Sequence, residues 1–453
     1  MTKNNPRITL LATSTSFVLV ILDTSIVNVA LESISQGLAT DVTGLQWIAT
    51  AYIVAFASLL LSGGALGDIF GARKIYMIGL VLFTMASLIS GCASSMSTLI
   101  AGRILQGIGA ALLVPCALSL LTHAYPDDTA RAKAIASWAA WGGAAQVLGP
   151  LVGGLLLAVF DWRSIFLVNV PICVVGMWLT LRIDSHIGDH GGRRLDLPGQ
   201  VSAALAMILL NAALIEGAIV GWGNSWILAA LMLSALSTLS FVIIERKSIS
   251  PILPLSLFSN PVFSWICFTV LLSSATFFGM LFVLSLYFLQ SARYTPLQTG
   301  LAMLPFALLA TAGNLASARL ADRISPMSLM LVGSAVRLIG FAGLAFGGAD
   351  VFYPLMALEL MLMGFGSGLG NPMTISVLIS TVDKKYSGVA SGISRATGQL
   401  GSAIGVAIFG AFLADPHHIS DGTRLAASIS TASTAFVTLV IWHLWRQRDR
   451  AIR

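Results

Sequence analysis

Charge is scarce in this sequence. Asp, Glu, Lys and Arg make up 10% of the 453 residues, where soluble domains carry about 25%. A string of soluble domains is thereby excluded, because 57% hydrophobic content leaves too little polar surface to clothe one. Cysteine is scarcer still. Cys92, Cys116, Cys173 and Cys267 each stand singly in an apolar run, with no paired spacing for a disulfide framework or a metal site. No metal and no cofactor are expected. The chain also lacks a soluble domain and a nucleophile–base constellation, which argues against an enzyme. The net charge of +6 is dispersed in twos and threes between apolar runs, so it does not form a nucleic-acid patch and reads as topology signals instead.

What the sequence has in abundance is apolar runs of about 20 residues, the length that crosses a bilayer as a helix. Bounded by charge, Gly and Pro, they predict helices near 8–31, 44–66, 75–95, 98–121, 132–158, 164–182, 198–219, 224–244, 262–289, 297–318, 328–347, 353–377, 386–412 and 424–445. The expected fold class is an all-α membrane protein of fourteen helices, embedded in a lipid bilayer. The first run follows a short polar lead and carries Asp23 and Asn28 without a small-residue cleavage pattern, so it is expected to stay as the first membrane helix. With the N-terminus inside, only Arg163, Arg293 and Arg424 fall outside, and Arg103, Arg337 and Arg395 fall within helices. The remaining Lys and Arg collect on the inner side, which places both termini in the cytoplasm.

The loops repeat. "LGDIFGARK" (66–74) follows the second helix and "LADRISPMS" (320–328) the tenth, so Asp68 and Asp322 correspond at an offset of 254 residues. That offset pairs helices 1–6 with helices 9–14. The expected organisation is an N-terminal six-helix bundle over 1–182, a linker with two extra membrane helices over 183–261, and a C-terminal six-helix bundle over 262–453. Two halves around a midplane cavity form a transporter architecture.

Within this frame the intramembrane charges need reasons. A charge at the centre of a membrane helix costs about 2.5 to 3.5 kcal/mol even on lenient scales. Asp23 lies in "FVLVILDTSIVNVAL" (17–31), about 12 Å below the outer end of its helix, and Arg103 in "AGRILQGIGAALLVP" (101–115) lies about 8 Å below its own. At those depths the two can meet, and a guanidinium neighbour explains a tolerated carboxylate. The alternative for Arg103 is an arginine reaching to the outer headgroups. Gly102, Gly107 and Gly109 are expected to open the face around it. Asp23 has no acidic counterpart at the repeat offset, position 277 being Phe277, so any coupling is expected to be asymmetric and housed in the first half.

"GGALGDIFGARK" (63–74) sets glycines around Asp68 and ends in Arg73 and Lys74. It is read either as a latch against the positive end of a helix from the other half or as a solvated tight turn. "WGGAAQVLGPLVGG" (141–154) carries Gly149 and Pro150, with Ala145, Gly149 and Gly153 spaced for close packing, most readily against the other half. The choice there is between a kink that matters for transport and a purely structural one. "SGISRATGQLGSAIG" (391–405) repeats the theme. Glu216 and Glu359 fall toward the outer side of their helices and are candidates for cation binding, arginine pairing or headgroup contact. Trp47, Tyr52, Asn28, Phe277 and Phe278 are candidates for a substrate cavity.

These stretches resemble the fourteen-helix drug:proton antiporters of the major facilitator superfamily. "LDTSIVNVAL" is similar to that family's helix 1 signature and "QWIATAYIVA" to its helix 2 pattern. "GALGDIFGARK" resembles the superfamily's loop motif, "RILQGIGAA" its helix 4 motif and "GGAAQVLGPLVGG" its antiporter motif. "DWRSIFLVNVPI" (161–172), "LDLPG" (195–199) and "LIEGAIVGW" (214–222) look like the segments around helices 6 and 7. The chain departs from the pattern at Glu32, where the family has Pro, and at Arg395, one turn before the family's arginine near Gly398. The resemblance implies Asp23 as a proton-coupling acid with Arg103 as relay, Asp68, Arg73 and Asp322 as a cytoplasmic gate, and Gly149, Pro150 and Gly153 as the antiporter kink. It implies protons and a small-molecule substrate, an amphipathic cation or an antibiotic, exported across the inner or plasma membrane. A proton-coupled uptake symporter or facilitator of the same fold is the alternative, and a non-transporting membrane sensor a third.

Overall fold

The computed structural model describes residues 6–183, 196–248, 253–321, 323–347, 352–383, 387–413 and 419–452. Asp322 lies outside the described residues. The chain divides into two compact units, Met1–Ile252 and Leu253–Arg453.

The first unit contains α1 (Pro6–Leu38), α2 (Val42–Phe70), α3 (Ala72–Gly91), α4 (Met96–Ala124), α5 (Asp128–Val159), α6 (Ser164–Leu167), α7 (Asn169–Thr180), α8 (Leu197–Val220) and α9 (Ser225–Lys247). Three of the described loop acids in this unit begin helices. Asp41 accepts from the Gly44 N–H at 3.0 Å, Asp127 from Ala130 at 2.8 Å and Asp196 from Gly199 at 2.9 Å, each meeting an N–H that the helix itself leaves unpaired. Asp196 thus belongs to the start of α8. Between α2 and α3 stands one residue, Gly71, whose φ of 91° is a conformation that favours glycine. The sequence predicts a single helix over 164–182, but the structure breaks it at Val168. Pro171 has no N–H to give the Leu167 carbonyl, so α6 stops there and α7 begins at Asn169.

The second unit opens with a 3₁₀ turn, Leu255–Ser259, and continues with α10 (Pro261–Leu286), α11 (Pro296–Leu320), α12 (Pro326–Gly347), α13 (Tyr353–Ser380), α14 (Ser387–Ala411) and α15 (Ile419–Ile452). Its neighbour pattern repeats that of the first. α2 packs on α4, α1 on α5, α3 on α4, and α7 on α1 and α3. In the second unit α11 packs on α13, α10 on α14, α12 on α13, and α15 on α10 and α12. α8 and α9 pack on each other, and α8 packs on α2.

Among the described residues eleven helices are long and apolar enough to cross a membrane, and twelve if the bent α5 counts as one span. α6 and α7 together give a shorter apolar stretch, Ser164–Thr180, and α14 is not among the eleven. α9 presents Trp226, Met232, Leu236 and Leu239, each more than half exposed, which suits lipid and not water.

Close helix approach explains the glycines. A Cβ on Gly63 would come within 2.8 Å of the Ala111 carbonyl carbon, and one on Gly67 within 2.8 Å of the Cys116 Sγ, so Gly63 and Gly67 admit α4 of the same unit. Gly107 meets Ala55 of α2, and Gly102 and Gly109 meet α3. These α4 glycines are filled by neighbouring helices and do not open a face around Arg103. Gly149 and Gly153 face Ser25 and Ile26 of α1, within the first unit, where packing against the other half was expected. Gly401 and Gly405 meet Leu271 and Ala275 of α10 in the matching pair of the second unit. α5 bends by 40° between its 133–146 and 148–159 stretches. The bend falls where Pro150 leaves the Gln146 carbonyl without its helical donor.

Candidate functional site: a buried polar cluster in the first unit

Asp23 is fully buried in α1, and Arg103 of α4 is 1% exposed. The Arg103 Nη1 donates to Asp23 Oδ2 at 2.5 Å and to Gln106 Oε1 at 2.9 Å. Gln106 sits three residues after Arg103, hence on the same helix face, and its Nε2 donates to Asp23 Oδ1 at 3.1 Å and to the Ser87 Oγ of α3 at 2.9 Å. Asn169 supplies a third donor, its Nδ2 lying 2.8 Å from Asp23 Oδ1. The break before α7 is what brings this residue to the start of a helix. Gln106, Ser87 and Asn169 are all fully buried.

Arg103 is also held independently of the acid. Its Nε donates to the Ile48 carbonyl at 3.2 Å, and its Cζ lies 4.4 Å from the Tyr52 ring centroid and 5.9 Å from that of Phe166. Thr24 lies beside the buried Tyr52 hydroxyl. Three donors aimed at two oxygens are the complement of an ionised carboxylate, which accepts and cannot donate. A protonated acid would set its own O–H among donors. The cluster is therefore matched to the ionised acid, and its burial denies water access to either oxygen in this conformation. Asp23 and Arg103 were legible in the sequence; Gln106 and Asn169 were not, though both stand inside the quoted "RILQGIGAA" and "DWRSIFLVNVPI".

Residues 13–406 match the family model described as Major Facilitator Superfamily. The chain belongs to the major facilitator superfamily. It is 35% identical over 438 residues to the Methylenomycin A resistance protein of Bacillus subtilis (strain 168), covering 96% of this chain and 93% of that one. It is 32% identical over 409 residues to the Drug efflux pump JefA of Mycobacterium tuberculosis (strain CDC 1551 / Oshkosh), covering 90% and 80%. The structure of the xylose transporter XylE from E. coli matches with a TM-score of 0.65 at 14% identity over 97% of each chain, a likeness of fold. This superfamily member is accordingly a multi-span membrane transporter.

The superfamily loop motif contributes Arg73 to an interaction inside the first unit. Its Nε and Nη2 donate to the Thr180 and Leu181 carbonyls at 3.1 and 3.0 Å, closing the C-terminal end of α7. Asp68 is half-buried at the end of α2. In "DWRSIFLVNVPI", Arg163 pairs with Asp161 at 2.5 Å and donates to the Ala93 carbonyl at 2.9 Å, which fastens this segment to the loop between α3 and α4.

The other candidates are dispersed. The Trp47 Nε1 donates to Glu216 Oε1 at 2.9 Å, so this acid ties α8 to α2. Asn28 is half-buried and its Nδ2 reaches the Thr24 carbonyl of its own helix at 3.4 Å. Phe277 and Phe278 are half-buried on α10, and Phe277 lies 5.0 Å from Phe278 and 5.2 Å from Phe306 between ring centroids. Glu359 is 5% exposed on α13, its carboxyl lies against Gly343 of α12, and its Oε2 has no hydrogen-bond partner.

Proposed function

We propose that this chain is a proton-coupled antiporter that exports drugs or other amphipathic small molecules by alternating access. The observation that carries the reading is the buried Asp23 carboxylate, matched by Arg103, Gln106 and Asn169 and closed to water. Relatives named as a resistance protein and a drug efflux pump support the direction and the substrate class. In this reading the chain crosses the plasma membrane fourteen times with both termini in the cytoplasm. Six-helix bundles over 1–182 and 262–453 flank two inserted helices, and Asp68, Arg73 and Asp322 form the cytoplasmic gate.

Proton uptake by Asp23 removes the charge that Arg103 faces. Gln106, the Ile48 carbonyl and the Tyr52 ring keep the guanidinium in place when that happens, so the helix contacts of α1 loosen while α2 and α4 stay joined. The step that releases α1 from the cluster then opens it to one side of the membrane, and reformation of the ion pair expels the proton to the other. If one proton exchanges for one monovalent cation, the membrane potential cancels and the pH gradient alone drives export, at about 1.4 kcal/mol per unit. Cells expressing the chain should accumulate less of a fluorescent cationic dye than a transporter-null host, and an uncoupler should erase the difference. Equal accumulation in both strains for every dye and antibiotic tried would remove the proposal.

A further inference from the structure

The second unit contains a buried arginine that the first unit's logic does not cover. Arg337, near the middle of α12, is 5% exposed. Its Nη2 donates to the Ser273 Oγ at 2.9 Å, and its Nε is buried with no hydrogen-bond partner. Arginine holds its proton under all ordinary conditions, so burial does not neutralise it. A buried charge without a counter-charge is costly. In the first unit the same problem is answered by Asp23 on Arg103.

Here the answer differs. Arg337 borders a cavity of about 20 Å³ lined by Thr269, Ser273, Ser334, Asn371 and Thr374. α10, α12, α13 and α15, which enclose it, carry acids only at Glu359, Asp421 and Asp449, and none lines the cavity. Thr269, Ser334 and Thr374 give their hydroxyl protons to the Ile266, Leu331 and Gly370 carbonyls, which leaves the Ser273 O–H and the Asn371 amide to donate beside the guanidinium. The cavity is open on the side of Asn371, which is exposed, so a small anion can enter it.

We propose that this cavity is a halide site, in which a chloride ion neutralises Arg337 and is held by the guanidinium, the Ser273 O–H and the Asn371 amide. The site lies wholly within the second unit and does not depend on the proton reading of Asp23. It makes the second unit's stability sensitive to the anion in solution.

The test uses the full-length purified protein in detergent, melted in chloride and in gluconate at equal ionic strength. Chloride should raise the melting temperature saturably, and crystals grown in bromide should show an anomalous peak within hydrogen-bonding range of the Arg337 guanidinium. Arg337→Gln should lose both signals. Ser273→Ala should raise the chloride concentration at half effect severalfold while folding normally, so a failure of Arg337→Gln to fold leaves the measurement intact. Equal melting of the wild type in the two anions, a chloride effect that survives in Arg337→Gln, or a bromide peak only elsewhere would each overturn the assignment.

Discussion

Replacing Asp23 by Asn tests the cluster most directly, because it keeps the shape and removes the charge. Arg103 would then stand buried with a cation and no counter-charge. Its remaining partners, the Gln106 Oε1 at 2.9 Å and the Ile48 carbonyl at 3.2 Å, are neutral. Breaking a buried pair by removing one partner costs about 3–5 kcal/mol. The amide oxygen of Asn still accepts a hydrogen bond, so the lower end, about 3 kcal/mol, applies. Arg103→Gln should cost less, since an orphaned carboxyl can take up a proton whereas an orphaned guanidinium cannot give one up. The double variant Asp23→Asn/Arg103→Gln should recover most of the lost stability and still fail to couple. In proteoliposomes with an imposed gradient of two pH units, the driving force is about 2.7 kcal/mol, or roughly a hundredfold dye accumulation at the limit. Wild type should approach that limit; Asp23→Asn and the double variant should show no uphill movement, with downhill exchange retained. Thermal melting of each sample separates lost coupling from lost fold. Uphill accumulation by Asp23→Asn at the wild-type level would refute the assignment of the proton to this acid.

Three further outcomes follow from the packing. Gly149→Ala should cost about 1–3 kcal/mol and slow export, since its Cβ would come within 2.7 Å of the Ser25 Cβ; Gly143→Ala, which meets nothing within 4 Å, should be neutral or mildly stabilising, and equal melting of the two variants would contradict the α1–α5 contact. Glu216→Gln should transport normally because the glutamine oxygen still accepts from Trp47, whereas Glu216→Leu should lose about 1–3 kcal/mol by orphaning the indole N–H; loss of transport in the Gln variant at normal stability would instead make Glu216 a proton or cation site. Arg73→Ala should lower the melting temperature by freeing the Thr180 and Leu181 carbonyls, by about 1–3 kcal/mol, with Arg73→Lys recovering part of it; wild-type melting of Arg73→Ala would show that the end of α7 needs no such cap.

Hydropathy and charge placement were enough to read an all-helical membrane chain, because bilayer thickness imposes a run length that is local in the sequence. The repeat at 254 residues was equally legible, and the two units share a neighbour pattern. Depth counting along two helices brought Asp23 and Arg103 to compatible heights, since helical rise is constant. What the linear chain did not reveal is which side chains fill the remaining positions around a charge. Gln106 and Asn169 look like ordinary polar residues until α4 and the start of α7 are placed against α1, and the break that presents Asn169 depends on Pro171. The glycine-rich stretches 63–74, 101–115 and 141–154 announced close packing, but the partner helix was decided only by tertiary structure: α4 for Gly63 and Gly67, α2 and α3 for Gly102, Gly107 and Gly109, and α1 for Gly149 and Gly153. Glu216 found an indole from α2, and Arg337 found the Ser273 hydroxyl of α10. Propensity and hydrophobic pattern are properties of a segment, whereas the satisfaction of a buried polar group is a property of the helices that surround it.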